Sequence, residues 1–95
     1  MIITVRNNAD LPNKYERKIK WLLYNLREKF KDILYAKVFF NKEGNGNVNY
    51  HLNLVVGMPG KNVVIKNNGS EVTKLIYAVY NSAKRIIAKR SNSKK

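Results

Sequence analysis

Residues 2–6, Ile-Ile-Thr-Val-Arg, alternate apolar and polar positions with Ile3 and Val5 on one side, the period of a half-buried strand. The period then changes. Leu11, Tyr15, Ile19, Leu22, Leu26, Phe30 and Ile33 recur at intervals of three and four, which predicts one helix of about five to six turns with a single buried stripe. Asn7-Asn8-Ala9-Asp10 precedes it as a turn, with Asp10 a possible cap and Pro12 suited to the first turn. Residues 34–41 read as a second strand, and Gly44-Asn45-Gly46-Asn47 as a hairpin loop. Residues 48–57 alternate again, with Tyr50, Leu52, Leu54 and Val56 on one side and His51, Asn53 and Val55 on the other. After a turn at Met58-Pro59-Gly60-Lys61 comes a short strand, 62–66, and Asn67-Asn68-Gly69 is read as a break. Ser70 is a good helix cap, and Val72, Leu75, Ile76, Val79, Ala83, Ile86 and Ile87 carry a second amphipathic helix to about residue 90.

The predicted order is β-α-β-β-β-α, an α+β fold. A helix between the first two strands implies a right-handed parallel crossover, and the two tight loops imply antiparallel hairpins. A four-stranded sheet with both helices on one face is the economical arrangement, leaving the other face partly open. Ninety-five residues are one domain, here 1–90 with a flexible basic tail at 91–95, and an apolar share of 44% is enough to fill its core.

Charge changes the picture. The chain carries 19 Lys+Arg against 6 Asp+Glu, a net of +13, which calls for a polyanion partner. Residues 14–33 hold seven basic and three acidic side chains, and residues 70–95 seven basic and one acidic, so the helices hold most of the excess. On the first helix Lys14, Arg17, Lys18, Trp21, Tyr24 and Arg27 fall on the arc opposite the apolar stripe. On the second, Lys74, Tyr77, Asn81, Lys84, Arg85 and Lys89 share the outward face, and Arg90 follows. Cations hold phosphates, and an exposed ring among them can stack on an unpaired base. Trp21 admits that role, or that of covering the flank of a neighbouring element. Lys37, Lys66 and Arg6 occupy outward strand positions that extend the positive field.

Catalytic chemistry is thin. His51 is the one histidine and reads as a sheet-surface residue; Glu16, Glu28 and Asp32 read as local helix ion-pair partners. The glycine-containing loops lack the context of a phosphate-binding motif. With no cysteine, disulfides and thiolate metal sites are excluded. No apolar run approaches the ~20 residues of a spanning helix, and the start lacks the pattern of a signal peptide. The expectation is a cytoplasmic, non-enzymatic protein without cofactor, metal or small-molecule substrate, acting on RNA and not on a membrane.

The chain resembles the ribosome hibernation-promoting factors, also called ribosome-associated inhibitor A or sigma-54 modulation proteins. The resemblance lies in order and spacing: the helix closing on Leu26-Arg-Glu-Lys-Phe30-Lys-Asp-Ile33, the strand Ala36-Lys-Val-Phe-Phe40, the turn Val56-Gly-Met-Pro-Gly-Lys61, and a last helix with Val72, Ile76, Ala78 and Val79 in its apolar pattern. Arg85 and Lys89 stand where that family is typically basic; Lys74 and Tyr77 stand where it is usually acidic, and Ser82 and Ala88 where it is often basic. The resemblance implies a fold similar to double-stranded-RNA-binding domains. It also implies a short-form factor, monomeric off the ribosome, that lodges on the small subunit and its ribosomal RNA in the mRNA and tRNA channel. There it would block translation and preserve idle ribosomes in stationary phase or stress. Two further readings stay open: a generic double-stranded-RNA-binding module, and a protein-interaction modulator of a sigma factor.

Overall fold

Strand β1, Ile2–Asn7, presents Ile3 and Val5 to the interior, as its alternation requires. In this computed structural model, which describes residues 1–92 (the side chains of 91 and 92 excepted), the order that follows is α1 Asn13–Lys29, β2 Tyr35–Glu43, β3 Asn49–Gly57, β4 Val63–Gly69 and α2 Val72–Asn92. The expected tail therefore lies outside the described residues, apart from 91 and 92, which continue α2.

The sheet order is β1-β2-β3-β4, with β1 parallel to β2 and the remaining pairs antiparallel. This is the predicted α+β arrangement. Register places Ile3 and Val5 beside Ala36 and Val38, Val56, Leu54 and Leu52 beyond those, and Val63 and Ile65 last, all on one face. Against that face pack Ile19, Leu22, Leu23 and Leu26 of α1 and Val72, Leu75, Ile76, Val79, Ala83 and Ile87 of α2. Both helices therefore cover the same side of the sheet, and no polar side chain is buried among the described residues.

Several boundaries differ from the sequence reading. Helix α1 has 17 residues, about 4.7 turns, so Leu11, Phe30 and Ile33 lie outside it. Phe30 is extended and closes the helix by donating its N–H to the Leu26 carbonyl; Ile33 reaches the core from the turn beyond. Asp10 is no cap. It adopts φ 53, the left-handed region that aspartate tolerates, and the helix starts after Pro12 with no side-chain cap. The entry is held instead by Asn7, whose amide donates to the Leu11 carbonyl at 2.8 Å and accepts from the Leu11 N–H at 3.0 Å. Asn67-Asn68-Gly69 is no break: these residues extend β4, opposite Leu52, His51 and Tyr50. The first carbonyl to accept at the start of α2 is that of Glu71, just before the helix, from the Leu75 N–H, one residue later than a Ser70 cap would place it.

At the end of β3, Gly57 lies beneath the Tyr35 ring; a Cβ there would meet that ring at 2.1 Å. Asn62 fixes the ring by donating to the Tyr35 hydroxyl at 3.0 Å. Gly57→Ala is therefore expected to displace Tyr35 and cost about 1–3 kcal/mol, measured by chemical denaturation. An unchanged midpoint would mean the ring moves freely.

Candidate nucleic-acid interface

The helices expose most of the cations named by the sequence, but not as one arc. Lys14, Arg17, Trp21 and Tyr24 are exposed on α1, Trp21 to 60%. Lys18 is half-buried between the helices. Its Nζ lies 5.6 Å from the centroid of Trp21 and 5.5 Å from that of Tyr77 on α2. One ammonium thus bridges two rings on different helices, each contact worth about 0.5–1 kcal/mol at an exposed site. Lys14 stands 5.1 Å from the Tyr15 centroid, and Lys14, Tyr15, Arg17, Lys18 and Thr73 line a depression at the N-terminal ends of both helices.

On α2, Lys84 follows Tyr77 by seven residues, about two turns, and so shares its flank, half-buried on the side of α1. Arg85 and Lys89 lie further round and are exposed. Lys74 is exposed too, but its ammonium is held by Glu71 at 2.9 Å; that hydrogen bond, and then the carboxylate charge, raise its pKa above the usual lysine value. It keeps its charge while part of its field is cancelled.

Two expected members of the surface point elsewhere. Arg27 follows Lys18 by nine residues, about 180° round the helix, so the two cannot share a flank. It is half-buried, with Nε buried and without a hydrogen-bond partner. Arg90 is half-buried and donates to the Lys61 carbonyl, tying the end of α2 to the β3–β4 turn. The apolar stripe explains both. It takes in Leu23 on α1 and the Val72–Val79–Ala83 row on α2, which turns Arg27 and Arg90 toward its margins.

Acidic neighbours cancel only a few of the charges. Glu16 pairs with Lys20 at 3.1 Å and Glu28 with Lys31 at 3.0 Å, as their spacing predicted, whereas Asp32 lies in the turn beyond α1. Lys14, Arg17, Lys84, Arg85 and Lys89 have no ion pair among the described residues. Tyr77 is the member whose role the sequence understated. Its place on the outward face was legible, but not its meeting with Lys18.

His51 sits on the sheet surface, with Nε2 2.8 Å from a Glu43 carboxylate oxygen and 3.4 Å from the Asn49 amide nitrogen. Among the described residues no group of histidine and carboxylate side chains could hold a metal ion, and no helix is long and apolar enough to cross a membrane. The arrangement presents fixed cations and rings, suited to holding an anionic polymer.

No family model matches the chain, and no curated protein matches it in sequence. Solved structures do match. A ribosomal subunit interface protein from Coxiella burnetii superposes with a TM-score of 0.82 at 13% identity, covering 97% of this chain and 99% of its own. The N-terminal domain of Protein Y from Thermus thermophilus superposes with a TM-score of 0.74 at 16% identity, covering 93% of each chain. At these identities the likeness shows the fold alone, and it is the fold that the resemblance read from the sequence implied.

Proposed function

We propose that this protein is a non-catalytic ribosome-binding factor that docks its helical face on ribosomal RNA of the small subunit. It lodges in the channel for messenger and transfer RNA, excludes both by occupying their space, and so preserves idle ribosomes in stationary phase or stress. It acts in the cytoplasm and is monomeric off the ribosome. The observation that carries this reading is the set of cations without carboxylate partners among the described residues, Lys14, Arg17, Lys84, Arg85 and Lys89, on the helical side of the fold. Their mutual repulsion is relieved when phosphates supply the opposite charge. The fold shared with a ribosomal subunit interface protein supports the choice of ribosomal over free RNA.

The test is co-sedimentation with purified small subunits between about 0.05 and 0.2 M salt, beside a bare RNA duplex and a purified sigma factor. Binding is expected to favour the subunits and to weaken steeply with salt, because each phosphate contact releases counterions. Equal affinity for duplex and subunit would replace this reading with a generic duplex-RNA module. Salt-insensitive binding to the sigma factor would replace it with protein recognition.

A further inference from the structure

The sheet has a second face, opposite the helices, and register shows what stands on it. Arg6, Phe39, Asn53 and Lys66 form one row across all four strands. Thr4, Lys37, Val55 and Val64 form the row on one side, and Asn41, His51 and Asn68 the row on the other. Phe39 is half-buried at the centre, while Arg6, Lys37 and Lys66 are exposed around it, each on a different strand. The lone acid on this face among the described residues, Glu43 at the end of β2, is engaged by His51 at 2.8 Å.

We propose that this open face is a second nucleic-acid site, which takes an unpaired RNA strand with a base stacked on Phe39. Four-stranded sheets with accessible rings can seat two or three unpaired bases, because every base offers a π-face whatever its sequence. Neighbouring strands lie ~4.8 Å apart, so Arg6 on β1 and Lys66 on β4 flank the ring from opposite sides, within reach of the phosphates either side of a stacked base. Asn53 in the same row, with Asn41 and Asn68 in the next, supplies both donors and acceptors for base edges. Tyr35, four residues before Phe39 on β2, is already committed: its ring lies across Gly57, Asn62 holds its hydroxyl and Lys37 stands 5.7 Å from its centroid. Phe39 is therefore the stacking ring, and Tyr35 a rigid margin. A duplex fits poorly here, since its bases are stacked on one another and offer the protein only their edges and backbone. The site lies on the opposite side of the sheet from the helical interface, so one molecule can hold structured RNA and an unpaired strand together.

The experiment is fluorescence anisotropy of a labelled, unstructured pyrimidine RNA of about ten nucleotides. Phe39→Leu, which keeps the apolar volume and removes the ring, is expected to weaken binding about 5- to 100-fold, while Phe39→Tyr keeps it. Arg6→Glu with Lys66→Glu should lose far more affinity than Arg85→Glu with Lys89→Glu, the same charge change on the helical face. Thermal melts establish that each variant is folded. Equal losses from the two charge pairs, or no loss in Phe39→Leu, would overturn the site. So would a concentration-dependent self-association that Phe39→Leu abolishes, because the occupant would then be a second copy of the chain.

Discussion

Reversing Lys84, Arg85 and Lys89 together to glutamate is expected to abolish small-subunit binding while leaving the domain folded. Arg85 and Lys89 are exposed, Lys84 lies half-buried on the flank it shares with Tyr77, and none has an ion pair among the described residues. Each phosphate contact contributes ~0.7–0.9 to the slope of log affinity against log salt, so losing three lowers that slope by about 2–3. Replacement by carboxylates adds repulsion, and the combined loss is on the order of 100-fold or more near physiological salt. Stability should hold, since a chain of net +13 has positive charge to spare and no core contact is removed. The check is co-sedimentation over a salt series beside a thermal melt. Retained binding with an unchanged slope would show that the docking surface lies elsewhere.

The largest loss of stability is expected from Phe40→Ala. Phe40 is 1% exposed, among the largest fully buried side chains, and sits on β2 beside Leu52 with both helices packed over the same face. Truncating a buried phenylalanine costs about 3–5 kcal/mol, because the cavity closes only in part. At ~4–8 °C per kcal/mol for a domain of this size, the melting temperature should fall by roughly 15–30 °C. Phe39 is the adjacent residue and faces the opposite side of the sheet, so Phe39→Leu should cost far less. Similar losses at the two positions would mean that the open face is packed against something.

That pair shows how far the linear pattern reaches. Strand alternation is a property of one strand's own backbone, so the inward set Leu52, Leu54 and Val56 was legible residue by residue. The local pairs of Glu16 and Glu28 were legible too, whereas the helical stripes were legible only in the main: Leu23 of α1 is buried although the spacing passed over it, and Ile86 of α2 is exposed although the spacing took it in. Element ends were less legible. Leu11 and Ile33 continue the three-and-four spacing of α1 yet lie outside it, because apolar spacing records burial and not backbone conformation. Asn67-Asn68-Gly69 carries turn chemistry, but the free edge of β3 opposite these residues satisfies their backbone groups and draws them into the sheet.

The candidate surface divides along the same line. Sequence alone determined the order of elements, the fold class and the excess of cations on two helices, and its lack of cysteine excluded disulfides and thiolate ligation. It could not choose the flank on which α1 meets α2, which puts Lys18 between Trp21 and Tyr77, nor show that the end of α2 meets the β3–β4 turn, where Arg90 donates to Lys61. Nor could it align Arg6, Phe39, Asn53 and Lys66, which come from four separate strands. Periodicity follows from local backbone geometry and is written along the chain. Contacts between elements depend on how finished surfaces pack, and only the tertiary structure decides them.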